Sequence, residues 1–281
     1  MNVYEMKALM AQYGLRPNKG LGQNFLYDSA HLQRIVDAAE LGAGDTVLEI
    51  GPGLGPLTER LLEVAGRVVA VELDKGFIRV LHDRFGNHAN FTLHHEDILQ
   101  ADVSALLRGE GEPERYKCVA NIPYYITSAV MRHLLESDLQ PGLIVLLVQR
   151  EVAQRITAKP GDLSLLAISV QFYGQPEIVG VVPAGAFYPA PKVDSAILRV
   201  RPYPEQRYAV KDLDFFWEVV RAGFGQKRKQ LKNSLNAGLS GFNGEQVSAA
   251  LDGASIDASR RAQTLTIDEW VALYDAFRAL Q

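Results

Sequence analysis

A chain of 281 residues is long enough for one large domain and a smaller one, at roughly 150 residues per domain. With 47% hydrophobic and 22% charged residues it reads as an ordinary globular protein, which excludes disordered and collagen-like classes. A single cysteine, Cys118, excludes an intramolecular disulfide and cysteine-rich zinc sites, and a net charge of −4 speaks against a phosphate-rich partner for the chain as a whole. The N-terminal MNVYEMKALMAQYGLRP lacks the basic start and apolar centre of a secretory signal. Aliphatic runs such as Leu143 to Val148 fall short of the roughly 18 residues of a membrane span. A cytoplasmic protein without membrane association is expected.

In chain order, short β-branched runs alternate with helical patterns from Asp45 to Val148: TVLEIG, PLTERLLEVA, RVVAVEL, KGFIRVLHDRF, FTLHHEDI. That alternation predicts an α/β architecture with a parallel sheet. YKCVANI and GLIVLLVQ add strands, the second apolar throughout as for a strand covered on both faces, with TSAVMRHLLESD a helix between them. Residues 149–158 and 163–173 read as helices, PEIVGVV and DSAILRV as late strands. After Pro202 and Pro204 helical patterns run to the end, placing a boundary near Glu205 between 1–205 and 206–281. No internal repeat is evident.

The strand VLEI runs into Gly51-Pro52-Gly53-Leu54-Gly55 and then a helix, a turn in which glycine lets a ligand approach without meeting a Cβ. Glu72 ends the next strand twenty-one residues after Gly51, where a carboxylate can hold both hydroxyls of a ribose. The glycines alone fit an ordinary tight turn equally well; Glu72 tips the reading toward an adenosine-like ligand. A dinucleotide would bring an anionic pyrophosphate to the helix N-terminus. The preceding Glu49, the G-x-G-x-G spacing and Pro56 favour S-adenosylmethionine, which carries a sulfonium cation and no phosphate. Asp97, after the third strand, can accept from the adenine amino group of such a cofactor or cap a following helix.

The fourth strand ends in Asn121-Ile122-Pro123-Tyr124, at the sheet edge where open α/β folds bind ligands. An exocyclic amino group is a poor nucleophile because its lone pair is delocalised into the ring. The Asn121 side-chain oxygen and the Ile122 carbonyl, aimed at the amino hydrogens, would draw that nitrogen toward tetrahedral geometry and stabilise the charge that develops. Pro123 stiffens the turn, and Tyr124 offers a face for stacking a base. No strong general base is required, since the methylated amine is itself acidic.

GLGQNFLYD, VLEIGPGLGPLT, VAVELD, EDIL, ANIPYYITS, VQREVAQRI and FYPAPKVDSAILRV, in that order, resemble the ribosomal RNA adenine dimethyltransferase family of KsgA type, with the macrolide-resistance methyltransferases as relatives. The resemblance runs from about Lys19 to the end and takes in QKRKQLKNSL and IDASRRAQTL. It implies a Rossmann-like, seven-stranded class I methyltransferase domain (1–205) and a small C-terminal all-α domain (206–281). Two methyl groups would pass to each of two adjacent adenines in a hairpin near the 3′ end of small-subunit rRNA. The expected partner is a pre-30S particle and the expected state a monomer. By the same resemblance Asn24 and Leu26 close over the cofactor, Gly51 and Gly53 form its loop, Glu72 holds the ribose and Asp97 the adenine. Asn121 serves cofactor and target, while Tyr124 and Phe187 hold the target base. Some members have Asn where this chain has Tyr125, and GDLSLL after Pro160 is a few residues short.

Residues 206–281 carry ten basic and nine acidic side chains, against nineteen and twenty-four in 1–205. RAGFGQKRKQLK (221–232) holds five cations and no acid: Arg221, Lys227, Arg228, Lys229 and Lys232. As one continuous helix it would put Phe224, Leu231 and Leu235 on one side and Lys229, Lys232 and Asn236 opposite, an RNA-contacting face set apart from a core face. No metal is expected, because His94 and His95 are adjacent in a strand and point to opposite faces. The competing functions are a large-subunit rRNA methyltransferase of the resistance type, a non-catalytic RNA-binding assembly or transcription factor, and a nicotinamide oxidoreductase.

Overall fold

The computed structural model describes every residue except 19, 21 and 109–114, so that Leu21 of GLGQNFLYD lies outside the described residues. Two compact units emerge, Met1–Ala153 with Gln175–Pro202, and Gln154–Gly174 with Tyr203–Gln281.

In the first unit a short β1 (Phe25–Leu26) pairs antiparallel with β8 (Phe187–Tyr188). The main sheet comprises β2 (Thr46–Ile50), β3 (Arg67–Glu72), β4 (Phe91–His95), β5 (Lys117–Ala120), β6 (Leu143–Gln149), β7 (Gly174–Val182) and β9 (Ser195–Pro202). Their order is β4-β3-β2-β5-β6-β9-β7. The helices are α1 (Val3–Gln12), α2 (Ser29–Ala38), α3 (Pro56–Val64), α4 (Lys75–Phe85), α5 (Val103–Leu107) and α6 (Thr127–Leu135); α7 (Arg150–Ile156), after β6, begins in this unit and ends in the second. Local chemistry starts four of them: Asp28, Asp74 and Asp102 accept backbone N–H bonds as N-caps of α2, α4 and α5, and Pro56 opens α3, where its missing N–H costs nothing.

The β2–β3, β3–β4, β2–β5 and β5–β6 ladders are parallel, in the register Val47↔Val68 and Leu48↔Cys118, so Ile50, Glu72, His95 and Ala120 finish along one rim. Chain order reverses between β2 and β5, and the loops leaving these two strands open a crevice there. Leu143 to Val148 of β6 are all buried, as expected of a strand covered on both faces. The expected parallel sheet is corrected at one end, because β9 pairs antiparallel with β6 (Leu146↔Leu198) and inserts between β6 and β7. No helix among the described residues is long and apolar enough to cross a membrane.

The second unit contains α8 (Leu165–Gln171), α9 (Leu213–Phe224), α10 (Leu231–Gly238), α11 (Gly244–Gly253) and α12 (Ile267–Arg278), packed around Phe172, Phe216, Trp217, Leu231, Trp270 and Phe277. A capping box of Thr266 and Glu269 starts α12. Glu269 also receives a two-pronged pair from the Arg260 guanidinium, and the Arg260 carbonyl accepts from Leu231 N at 2.7 Å, anchoring the start of α10. These contacts give RRAQTL an architectural role. The chain leaves the first unit at Pro202, three residues before the expected Glu205. Residues 154–174 pack with the C-terminal helices instead of the sheet, since Ile168 and Phe172 belong to their core.

The continuous basic helix is also corrected. α9 stops at Phe224, residues 225–230 form a turn, and α10 begins at Leu231 after an extended Gln230. Phe224 stacks on Trp270 (5.6 Å) while Leu231 and Leu235 are buried, so two helices meet one core at a spacing that also suits a single helix.

Candidate active site

A partly enclosed crevice opens at the β2/β5 reversal, the concave kind of setting in which small molecules bind. Asn24, Leu26, Gly51, Gly53, Glu72, Asp97, Asn121, Ile122, Pro123 and Tyr124 all line it. Each lies at or just beyond a strand terminus, which is why positions so far apart in sequence converge.

Gly51 sits at φ +66°, and a Cβ there would meet nothing within 4 Å, leaving its backbone bare beside the crevice. Gly53, at φ +61°, packs so closely that a Cβ would come within 2.8 Å of the Phe25 ring. Glu72 braces this loop: Oε2 accepts from Gly53 N at 3.0 Å, and Oε1 accepts from Leu73 N and Asp74 N at 2.9 Å each. Burial raises the Glu72 carboxyl above its ordinary range, opposed by these three donors.

Two contacts draw residues 22–26 across the crevice. Gln23 Nε2 donates to Asp74 Oδ2 (3.3 Å) on one side, and Asn121 Nδ2 donates to the Asn24 carbonyl (3.3 Å) on the other. That bond uses one of the two Asn121 amide hydrogens and sets the amide's orientation, leaving its oxygen to accept from a ligand. The Tyr124 hydroxyl shares a 2.6 Å hydrogen bond with the buried Ser195 Oγ, fixing the ring edge while the ring lines the crevice. Ser195 escaped the sequence reading because nothing local marks it; only β9 packing brings it to Tyr124. Asp97 Oδ1 accepts from Leu99 N (3.0 Å) in a turn, and Asp102 rather than Asp97 caps α5.

Phe187 does not reach the crevice. It is buried in the core with Leu26, its partner across the β1–β8 pair, so the structure does not bring it to Tyr124. Arg221, Lys227, Arg228 and Lys229 are exposed and Lys232 half-buried, and none forms an ion pair with a described residue.

The donor set is one-sided. Glu49, Glu72, Asp74, Glu96 and Asp97 line the crevice, with no Lys, Arg or His among the described lining residues. A pyrophosphate would meet carboxylates without a compensating cation, whereas a ligand bearing a positive centre is matched. Apolar walls from Ile50, Val71, Leu73 and Ile98 suit a flat heterocycle, and the bare Gly51 backbone leaves room beside Glu72.

A family model described as ribosomal RNA adenine dimethylase matches residues 14–277. The chain is 50% identical over 270 residues to the "Ribosomal RNA small subunit methyltransferase A" of Dehalococcoides mccartyi (strain CBDB1), covering 96% of this chain and 91% of that protein. It is 39% identical to the protein of the same name from Alkaliphilus metalliredigens, covering 98% and 96%. Among solved structures it resembles a dimethyladenosine transferase from Plasmodium falciparum (TM-score 0.74, 26% identity, 89% of this chain and 95% of that one). It also resembles the 23S rRNA methyltransferase ErmE (TM-score 0.69, 30% identity, 90% and 99%).

Proposed function

The chain belongs to the ribosomal RNA adenine dimethylase family, and from that premise we propose how its residues carry out S-adenosylmethionine-dependent methylation of two adjacent adenines in small-subunit rRNA. The cofactor, when bound, supplies an electrophilic methyl group on a sulfonium. Glu72 holds the ribose hydroxyls, Asp97 the adenine amino group, and Asn24 and Leu26 cover the cofactor next to the Gly51–Gly53 loop. Asn121 Oδ1, oriented by the donation of its amide to Asn24, and the Ile122 carbonyl accept the two hydrogens of the target amine. That pull localises the nitrogen lone pair and stabilises its developing positive charge. Tyr124, pinned by Ser195, stacks the adenine. Phe187 acts from behind, holding Leu26 in place through the β1–β8 pair.

The observation that supports this reading is that Asn121, its amide donating to the Asn24 carbonyl, and Ile122 line a crevice that five carboxyl side chains also line. Small-subunit rRNA is favoured over large-subunit rRNA because the full-length likeness to the small-subunit proteins reaches 50%, against 30% to the 23S enzyme. A purely non-catalytic role would leave a carboxyl-rich crevice beside Asn121 and Ile122 without a purpose. The pyrophosphate of a nicotinamide cofactor would face the carboxyls. We further propose that the exposed cations of the 225–230 turn, with Arg221 and Lys232, contact RNA phosphates, and that the protein acts in the cytoplasm as a monomer on a pre-30S particle. Mapping N6,N6-dimethyladenosine in rRNA from a strain lacking the protein, with and without the chain restored, tests the assignment. Restoration of both small-subunit modifications supports it; modification confined to large-subunit rRNA, or none, overturns it.

A further inference from the structure

Four of the five carboxyls of the crevice are satisfied or open to water. Glu72 accepts three backbone N–H groups, Asp74 accepts from Gly76 N and Gln23, Asp97 accepts from Leu99 N, and Glu96 is exposed. Glu49 differs. It sits on β2 between β3 and β5, is 1% exposed, and its Oε2 has no hydrogen-bond partner. The groups acting on it from the elements around it are Glu72 on β3, the Thr58 hydroxyl on α3 and the buried Cys118 thiol on β5. Neither Glu49 Oε2 nor Thr58 Oγ1 has an aligned hydrogen-bond partner.

Burial pushes the Glu49 carboxyl up to about 8; the Glu72 charge adds to the rise and Thr58 pulls against it. The same burial keeps Cys118 a neutral thiol. No side-chain cation lines the crevice among the described residues, so the only positive charge Glu49 can meet there arrives with a ligand.

We propose that Glu49 is a neutral carboxylic acid before the cofactor binds, releases its proton to solvent when the sulfonium cation docks, and takes a proton back from solvent once methyl transfer leaves the neutral thioether. The balance closes at each stage. On binding, carboxylic acid and cation become a carboxylate–cation pair plus one solvent proton. On transfer, the sulfonium charge would go with the methyl group to the amine, whose proton passes to solvent; the α-ammonium is common to both cofactor forms, so the one charge Glu49 loses is the sulfonium's, and its carboxylate takes a solvent proton back. Glu49 thereby distinguishes substrate from product by charge and loosens the hold on the spent cofactor. This inference rests on the assignment of S-adenosylmethionine to the crevice.

Isothermal titration calorimetry of the wild-type chain at pH 7, in two buffers of different ionisation enthalpy, counts the protons exchanged with S-adenosylmethionine and with S-adenosylhomocysteine. We expect close to one proton released per S-adenosylmethionine and none attributable to Glu49 for the thioether. Below about pH 8, affinity for the sulfonium should rise about tenfold per pH unit. In Glu49→Gln the release and this pH slope should both vanish, and the affinity ratio between the two ligands should shrink. Tight S-adenosylmethionine binding with the same proton count for both ligands, or with a release that survives Glu49→Gln, overturns the proposal and leaves the cofactor assignment standing. Absence of S-adenosylmethionine binding overturns both. The wild-type titrations decide the matter even if the variant folds poorly.

Discussion

Replacing Glu72 with alanine should do two separable things. The carboxylate accepts from Gly53 N, Leu73 N and Asp74 N; Gly53 is buried, whereas Leu73 is exposed and Asp74 half-buried, so the latter two amides can be rehydrated. One buried N–H is then stranded, at about 1–3 kcal/mol, with the lost packing partly offset by removal of a carboxyl that burial already disfavours. A net loss of about 1–3 kcal/mol corresponds to a fall in melting temperature of roughly 2–5 °C in a chain of this size. Independently, the loss of two charge-assisted bonds to ribose hydroxyls, at least about 3 kcal/mol together, should weaken S-adenosylmethionine by about 100-fold or more. Differential scanning fluorimetry without cofactor and calorimetry with it read the two effects apart. An unchanged melting temperature would refute the bracing of the glycine loop by Glu72; unchanged affinity would refute its role toward the ribose.

Glu49 makes stability depend on pH. Its carboxyl is raised in the folded state, so between about pH 5 and 8 the folded chain binds more protons than the unfolded one, and stability from this group falls as pH rises, by at most about 1.4 kcal/mol per unit. Chemical denaturation across that window should show the decline in wild type and a flatter profile in Glu49→Gln; identical profiles would contradict the assignment. Neutralising Lys227, Arg228 and Lys229 together should lower the salt dependence of RNA binding by up to about two to three units of log–log slope while cofactor affinity holds, as read by filter binding at several salt concentrations. An unchanged slope would remove the turn from the RNA interface. Trp270→Ala, which empties the centre of the helical unit, should cost about 3–5 kcal/mol in denaturant unfolding. A loss under 1 kcal/mol would contradict the packing described.

The site was legible where chemistry is encoded next to a strand end. VLEI before the glycines, Glu72 closing VVAVE and Asn121 following KCVA each carry their own punctuation, and a parallel sheet brings all such ends to one rim. Features that depend on distant pairing were not legible. The antiparallel insertion of β9 follows from Leu146↔Leu198, which no local pattern announces. The family resemblance places Phe187 at the target base, whereas its pairing with Leu26 across the β1–β8 ladder puts it in the core. Phe224 and Leu231 are seven residues apart, close to two helical turns, and only the shared Trp270 environment shows that two helices supply them. Glu49 is visible in the sequence as an acid before the glycine loop; its unpartnered oxygen emerges only from three-dimensional burial.

The measurement closest to the centre of the account is the single-turnover rate of methyl transfer to small-subunit rRNA by Asn121→Ala, with S-adenosylmethionine and RNA both saturating. If the Asn121 oxygen stabilises the charge forming on the target amine, the rate should fall about 100-fold or more with the fold intact by circular dichroism. A rate within threefold of wild type would contradict it.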